Sequence, residues 1–163
     1  MEMSFRMLIL ALAGLMAVHL TDPAQAEGPV VLTVAGAIAG GASLDFTIAD
    51  LEKLGVTTIT TTTPWYNKSM SFEGVLMSRL MEAVGAKGSM VEGMALNNYY
   101  VEIPFSDLKQ FDVLLAFKAD GEYMSVREKG PLFVIYPFDR FPDIRNELYY
   151  SRAIWQLRRL TVK

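Results

Sequence analysis

The sequence predicts a single α+β domain, mostly sheet with a few short helices. Three observations carry this expectation. Runs of β-branched residues and short amphipathic turns follow one another without the regular alternation that builds a parallel α/β fold. No repeat, low-complexity stretch or linker divides the chain beyond its first 26 residues. The chain has no cysteine, so no disulfide can staple the fold and burial must hold it together.

The first 26 residues read as a secretory signal peptide. Met1 to Arg6 is short and carries the chain's first basic residue, Met7 to Val18 is an unbroken apolar run, and Ala24-Gln25-Ala26 is a small-x-small cleavage site. The apolar run falls short of the ~18–20 residues that cross a bilayer. The expectation is therefore a periplasmic protein whose mature domain is residues 27–163. Only Glu2, Arg6 and Asp22 leave as charged residues, so the formal charge moves from −3 to −2.

Along the mature chain, Val30 to Val34 is β-branched and apolar, and the glycines at 36, 40 and 41 mark a turn. Thr47 to Asp50 resembles a capping box opening a short helix through Leu54, with Gly55 as its stop. Val56 to Thr63 (VTTITTTT) predicts a strand ended by Pro64. Leu76, Leu80, Met81 and Val84 share one helical face, and Gly85 sits where a C-cap belongs. Met90 to Leu96 and Tyr99 to Ile103 read as strands, with Asn97-Asn98 a turn between them. Ser106 to Phe111 reads as a short helix, and Val113 to Phe117 as a buried strand closed by the Asp120-Gly121 turn. Leu132 to Tyr136 is a further strand. Leu157 to Val162 alternates apolar and basic residues, the pattern expected of a final edge strand.

Composition excludes several chemistries. The only histidine, His19, leaves with the signal peptide. The mature domain then offers no imidazole and no thiolate, which rules out a Ser-His-Asp triad, a cysteine nucleophile and the usual zinc sites. No acidic loop has calcium-binding spacing. The near-neutral charge argues against nucleic acid, whose phosphates need clustered Lys and Arg. The last third is nonetheless basic: Arg127, Arg140, Arg145, Arg152, Arg158, Arg159 and Lys163 fall there. Solvated surface and a face for an anionic ligand or partner both fit. The six methionines beyond residue 26 read as gap-fillers of the core.

Several segments resemble the sulfite-oxidase-type molybdopterin-binding domain. Val113 to Gly121 (VLLAFKADG) is similar to its "DVLLAYxMNG" strand and turn. Gly130 to Pro137 (GPLFVIYP) is similar to "GxPLRLVVP", and Ile154 to Val162 (IWQLRRLTV) to the closing "KWLxRIEV" strand. Phe72-Glu-Gly-Val-Leu76 through Val84 resembles "WxGVxLxxLLxxAG", the approach to a helix. These blocks stand in family order over most of residues 30–162. The resemblance implies a mixed sheet with a few short helices.

Departures from the family pattern bear on function. Catalytic members hold molybdenum through a cysteine near the end of the strand before the helix; here that region is Thr60-Thr61-Thr62-Thr63-Pro64-Trp65. A hydroxyl that stays protonated near neutral pH is a poor replacement for a soft thiolate. Phe133 replaces the arginine of "PLR" and Ile154 the lysine of "KW", residues that would meet the cofactor's phosphate end. The combination resembles a non-catalytic branch: periplasmic pterin-binding proteins that regulate a membrane cyclic-di-GMP enzyme. The resemblance implies a reduced pterin as ligand, no molybdenum, and the periplasmic domain of a membrane signalling protein as partner.

A pterin is a flat ring with a 2-amino-4-oxo edge, so its site needs an aromatic face and amide or carboxylate groups. The candidates are Trp65, Asn98, Tyr100, Arg127, Tyr136 and Asp139, the last able to pair bidentately with the amino-pyrimidine edge. Adjacent strand residues point to opposite faces, so only one of Tyr99 and Tyr100 can line a pocket, and Tyr100 is preferred. Trp155 matches the family's structural tryptophan and is expected in the core. Two other classes stay open: a molybdopterin-dependent oxidoreductase, or its subunit, that lacks the cysteine ligand; and a structural subunit using the fold as an interaction surface.

Overall fold

The computed structural model describes residues 28–163; the signal-peptide expectation lies outside them. The chain runs β1 (Leu32–Gly36), β2 (Leu44–Phe46), α1 (Ile48–Lys53), β3 (Val56–Thr61), β4 (Met70–Leu76) and α2 (Met77–Ala83). It continues through β5 (Met90–Ala95), β6 (Tyr100–Pro104), α3 (Phe105–Gln110), β7 (Leu114–Ala119) and β8 (Glu122–Tyr123). A short β9 (Phe133–Ile135), α4 (Glu147–Arg152) and β10 (Leu157–Val162) complete it. Among the described residues no helix is long and apolar enough to cross a membrane.

Two sheets form. The first has the order β2-β1-β10-β5-β6, with β1 and β10 parallel and its other neighbours antiparallel. The second is antiparallel, in the order β3-β4-β7, with β8 and β9 both pairing to β7. This is the α+β architecture expected from the sequence. The last strand corrects one expectation: β10 is the centre of its sheet, not an edge. Its alternation records one buried and one solvent face, a property that central antiparallel strands share. Leu157, Leu160 and Val162 point into the core while Arg158 and Arg159 face water.

The helices follow their local signals. Thr47 caps α1: its hydroxyl accepts the Asp50 N–H at 3.2 Å, and the Asp50 carboxylate accepts the Thr47 N–H at 3.1 Å. Lys53 pairs with the same carboxylate, and these contacts, led by the Thr47 hydroxyl, lower the Asp50 pKa to about 2. In α2 the buried face is Met77, Leu80 and Met81, with Val84 just beyond; Leu76 instead ends β4 and stands as the N-cap. The segment resembling an approach to a helix is the end of β4 through Leu76, running directly into α2 at Met77. Gly74 lies against β7, and a Cβ there would stand 2.1 Å from the Leu115 carbonyl oxygen.

The core is contiguous between the sheets and helices. Phe72 of β4, Leu114 and Leu115 of β7, Phe133 of β9 and Leu160 of β10 are fully buried. Each such side chain contributes roughly 1.5–3 kcal/mol of transfer free energy. Met70, Met77, Met81 and Met124 are buried within it, as gap-filling residues would be.

Candidate functional site

An aromatic cleft of about 380 Å³ opens where the exit of β3, the β5–β6 hairpin and α4 converge. Trp65 and Trp155 form part of its wall, their rings edge to face with centroids 5.5 Å apart. Trp65 also meets Phe133 at 5.5 Å and Tyr150 at 6.2 Å. A concave aromatic site with a few polar groups is the form that binding sites for flat small molecules take.

The β3 exit places Trp65. The strand stops at Thr61 because Thr62 turns its N–H to Asp139, which accepts it at 2.8 Å. The Thr62 hydroxyl donates to the same carboxylate, and Arg145 pairs with it. The Asp139 N–H in turn donates to the Thr61 hydroxyl at 3.1 Å. This lattice binds the Thr61–Trp65 segment to the loop after Phe138. It also holds the Asp139 carboxyl below its usual pKa, the Thr62 hydroxyl being the largest cause. Within the same segment, the buried Thr63 hydroxyl has no hydrogen-bond partner among the described residues.

Helix α4 supplies the opposite wall. Asn146 caps it by accepting the Leu148 N–H at 3.1 Å. Glu147, Tyr150 and Ser151 stand at i, i+3 and i+4, one helical face, and all three line the cleft. Tyr149 and Arg152 take the inner face. Tyr149 packs on Tyr136 and Phe111, while Arg152 donates to Asp107 at 2.9 Å. The Tyr136 hydroxyl donates to the same Asp107 oxygen at 2.8 Å. Burial, with Asp107 beside it, pushes the Tyr136 phenol far up. A polar knot inside the core thus fixes the helix that faces the cleft.

Of the residues predicted to bind a ligand, the cleft is lined by Trp65 alone. Asn98 sits at the hairpin tip with φ 65° and accepts the Arg158 guanidinium at 2.8 Å. Its neighbour Asn97 lines the cleft, accepting the Tyr99 N–H at 3.0 Å as an Asx turn does. Tyr99 is likewise in the cleft, whereas Tyr100 begins β6 and is 63% exposed. The turn thus puts into the cleft the residue before each of the two expected ones. Arg127 is exposed on a 3₁₀ turn at Val126–Glu128 and is not among the lining residues. Tyr136 is fully buried in the Asp107 knot. Asp139 is engaged by Thr62 and Arg145.

Trp155 departs from the core position expected of it: it is 38% exposed and lines the cleft. It bridges Phe133 of β9, and Ile154 takes the buried position beside it. Lys129 stands over the Trp155 and Tyr66 rings at 5.3 and 5.6 Å. The basic C-terminal third is largely matched by acids. Arg140 pairs with Asp112, Arg145 with Asp139, Arg152 with Asp107, and Lys163 with Glu92 and Glu102.

Sequence reasoning missed Glu147, Tyr150 and Ser151 because it did not place a helix there. The signal was present: Asn146 as a cap, followed by three cleft residues at helical spacing.

The donor set of this region does not fit molybdenum ligated by a protein thiolate. The chain contains no cysteine, and among the described residues no three His, Cys, Asp or Glu side chains cluster as metal ligands would. The segment resembling the metal-bearing position presents threonine hydroxyls, two of which are committed to backbone or Asp139.

In fold, the chain is similar to the sulfane dehydrogenase SoxCD from Paracoccus pantotrophus, with a TM-score of 0.61 at 22% identity. The similarity covers 80% of this chain but 37% of that one, so the chain spans little more than a third of that protein chain. None of the curated proteins matches the sequence. Residues 21–138 match the family described as the oxidoreductase molybdopterin binding domain. That match takes in well over half of the sequence, and the chain belongs to the oxidoreductase molybdopterin-binding domain family.

Proposed function

We propose that this chain binds a reduced pterin in the Trp65–Trp155 cleft without catalysing its turnover, and that a membrane partner reads whether the cleft is filled. One observation carries the reading. An aromatic cleft adjoins the segment where the family's enzymes hold their metal, and that segment offers hydroxyls in place of a thiolate. The ring-binding part of a cofactor site is thus separable from its metal-binding part. A periplasmic location agrees with the signal-like first 26 residues.

The surroundings of the cleft support the regulatory half of the proposal. Leu96, Tyr99, Leu148 and Trp155 are all exposed large apolar side chains on the hairpin, on α4 and just beyond it. A ligand in the cleft would touch Tyr99 and Trp155 directly, so occupancy would bias the surface a partner meets. The proposed partner is the periplasmic domain of a membrane cyclic-di-GMP enzyme.

The family description is equally compatible with one alternative, a molybdopterin-dependent oxidoreductase, or its subunit, working without a protein thiolate. Elemental analysis of chain purified from its native compartment separates the two. The proposal expects far less than one molybdenum per chain, and about one atom per chain would overturn it.

A further inference from the structure

Glu147 is the one carboxylate among the residues lining the cleft, and no Lys or Arg lines it. Among the described residues its carboxylate takes part in no hydrogen bond or ion pair, although its neighbours Asn146 and Arg145 do. The nearby acid expected to read a pterin edge, Asp139, is occupied by Thr62 and Arg145. Of the region's cations, Arg152 is neutralised by Asp107, while Arg158 rests on the neutral Asn98 amide and Lys129 over the Trp155 and Tyr66 rings, and none of the three lines the cleft. Two weaker polar groups complete the lining. Asn97 has its carbonyl oxygen committed to the Tyr99 N–H, which leaves its NH₂ to donate. Ser151 donates its hydroxyl proton to the Leu148 carbonyl at 2.7 Å, which leaves its oxygen to accept.

We infer that Glu147 sets the ligand class of this cleft: an unphosphorylated heterocycle that presents a 2-amino group beside a ring N–H. Those two N–H groups match a carboxylate in parallel, the strong bidentate form of a charge-assisted hydrogen bond. A phosphate ester meets the opposite field at Glu147, an exposed carboxylate with no Lys or Arg beside it among the described lining residues. The cleft therefore takes the ring of a free pterin and rejects the phosphate-bearing molybdopterin that the family's enzymes use. This inference rests on the pterin-binding reading and assigns its selectivity to one residue.

Tryptophan-fluorescence titration tests it with three probes: a hydroxymethyl dihydropterin, its diphosphate ester, and the dihydrolumazine in which oxygen replaces the 2-amino group. The wild-type chain is expected to bind the dihydropterin about tenfold or more tighter than either of the others. Glu147→Gln should bring the dihydropterin and the lumazine to similar affinity, because an amide can pair with either edge. Glu147→Lys should reverse the preference and favour the diphosphate ester. Wild-type affinity for the ester within about twofold of the free pterin would overturn the inference. So would variants that rank the three probes as the wild type does. If those results came with binding that Trp65→Ala abolishes, the pterin-binding reading would survive while the role of Glu147 fell. Failure of every probe to bind the wild type would sink both.

Discussion

Asp107 on α3 and Arg152 at the end of α4 face each other across 2.9 Å, with side chains only 6% and 17% exposed. Most other ion pairs in the structure lie in solvent, where screening leaves them worth little. This one is shielded, and removing a single partner leaves a buried charge unpaired. Asp107→Ala is expected to cost roughly 3–5 kcal/mol in urea unfolding. Because Arg152 and the cleft residues Glu147, Tyr150 and Ser151 share one helix, the substitution should also weaken ligand binding. A loss below about 1 kcal/mol would show that the knot does not hold α4.

Tyr136 gives the same knot a pH signature. Its phenol is raised in the folded state, so folding favours the protonated form. The contribution is complete below the unfolded phenol value of about 10 and falls as pH climbs above it. Wild-type stability should decline from about pH 10 upward, and Tyr136→Phe should remove that part of the slope. Parallel curves for the two proteins would contradict the assignment.

Thr63 carries a buried hydroxyl without a partner among the described residues, and Val has nearly the same shape. Thr63→Val is expected to raise stability by about 1 kcal/mol, because an unsatisfied buried hydroxyl costs ~1–3 kcal/mol. A fall in stability would mean that the hydroxyl is satisfied in solution.

Gly74 is required by the approach of β4 to β7. A methyl group there meets the Leu115 carbonyl and the Ala116 Cα, backbone atoms that cannot swing aside. Gly74→Ala is expected to destabilise by at least about 1–3 kcal/mol, the range of overpacked interiors, measured by chemical denaturation. A neutral result would place the two strands farther apart than they stand here.

The sequence was most legible where a local signal has one physical meaning. The Thr47–Asp50 capping box and the Asp120-Gly121 turn form as read, and the β-branched run from Val56 forms a strand that ends at Thr61, two residues short of Thr63. It was least legible where two structures share a pattern. The alternation of Leu157 to Val162 suits any half-exposed strand, so it cannot distinguish an edge from the centre of a sheet. The helical spacing through Leu76 continued a pattern that in the structure changes from strand to helix at one residue.

The cleft shows the same division. Trp65 was readable because a strand end and a proline place it on a rim. Asn97 and Tyr99, not Asn98 and Tyr100, line the cleft because the left-handed backbone at Asn98 shifts the parity of the hairpin. Glu147 was invisible without the preceding helix cap. Tyr136 and Trp155 exchange the expected places of core and cleft: just past β9, Tyr136 turns inward to Asp107, while Trp155, between α4 and β10, lines the opening.

The most direct test of the account is the melting temperature of the wild-type chain with and without a reduced pterin, read beside Trp65→Ala. At a hundredfold excess over Kd, the wild type should rise by about 5 °C or more, and the variant should not move. A wild-type melting curve unchanged across reduced pterins, or an equal rise in both proteins, would contradict the claim that this cleft holds the ring.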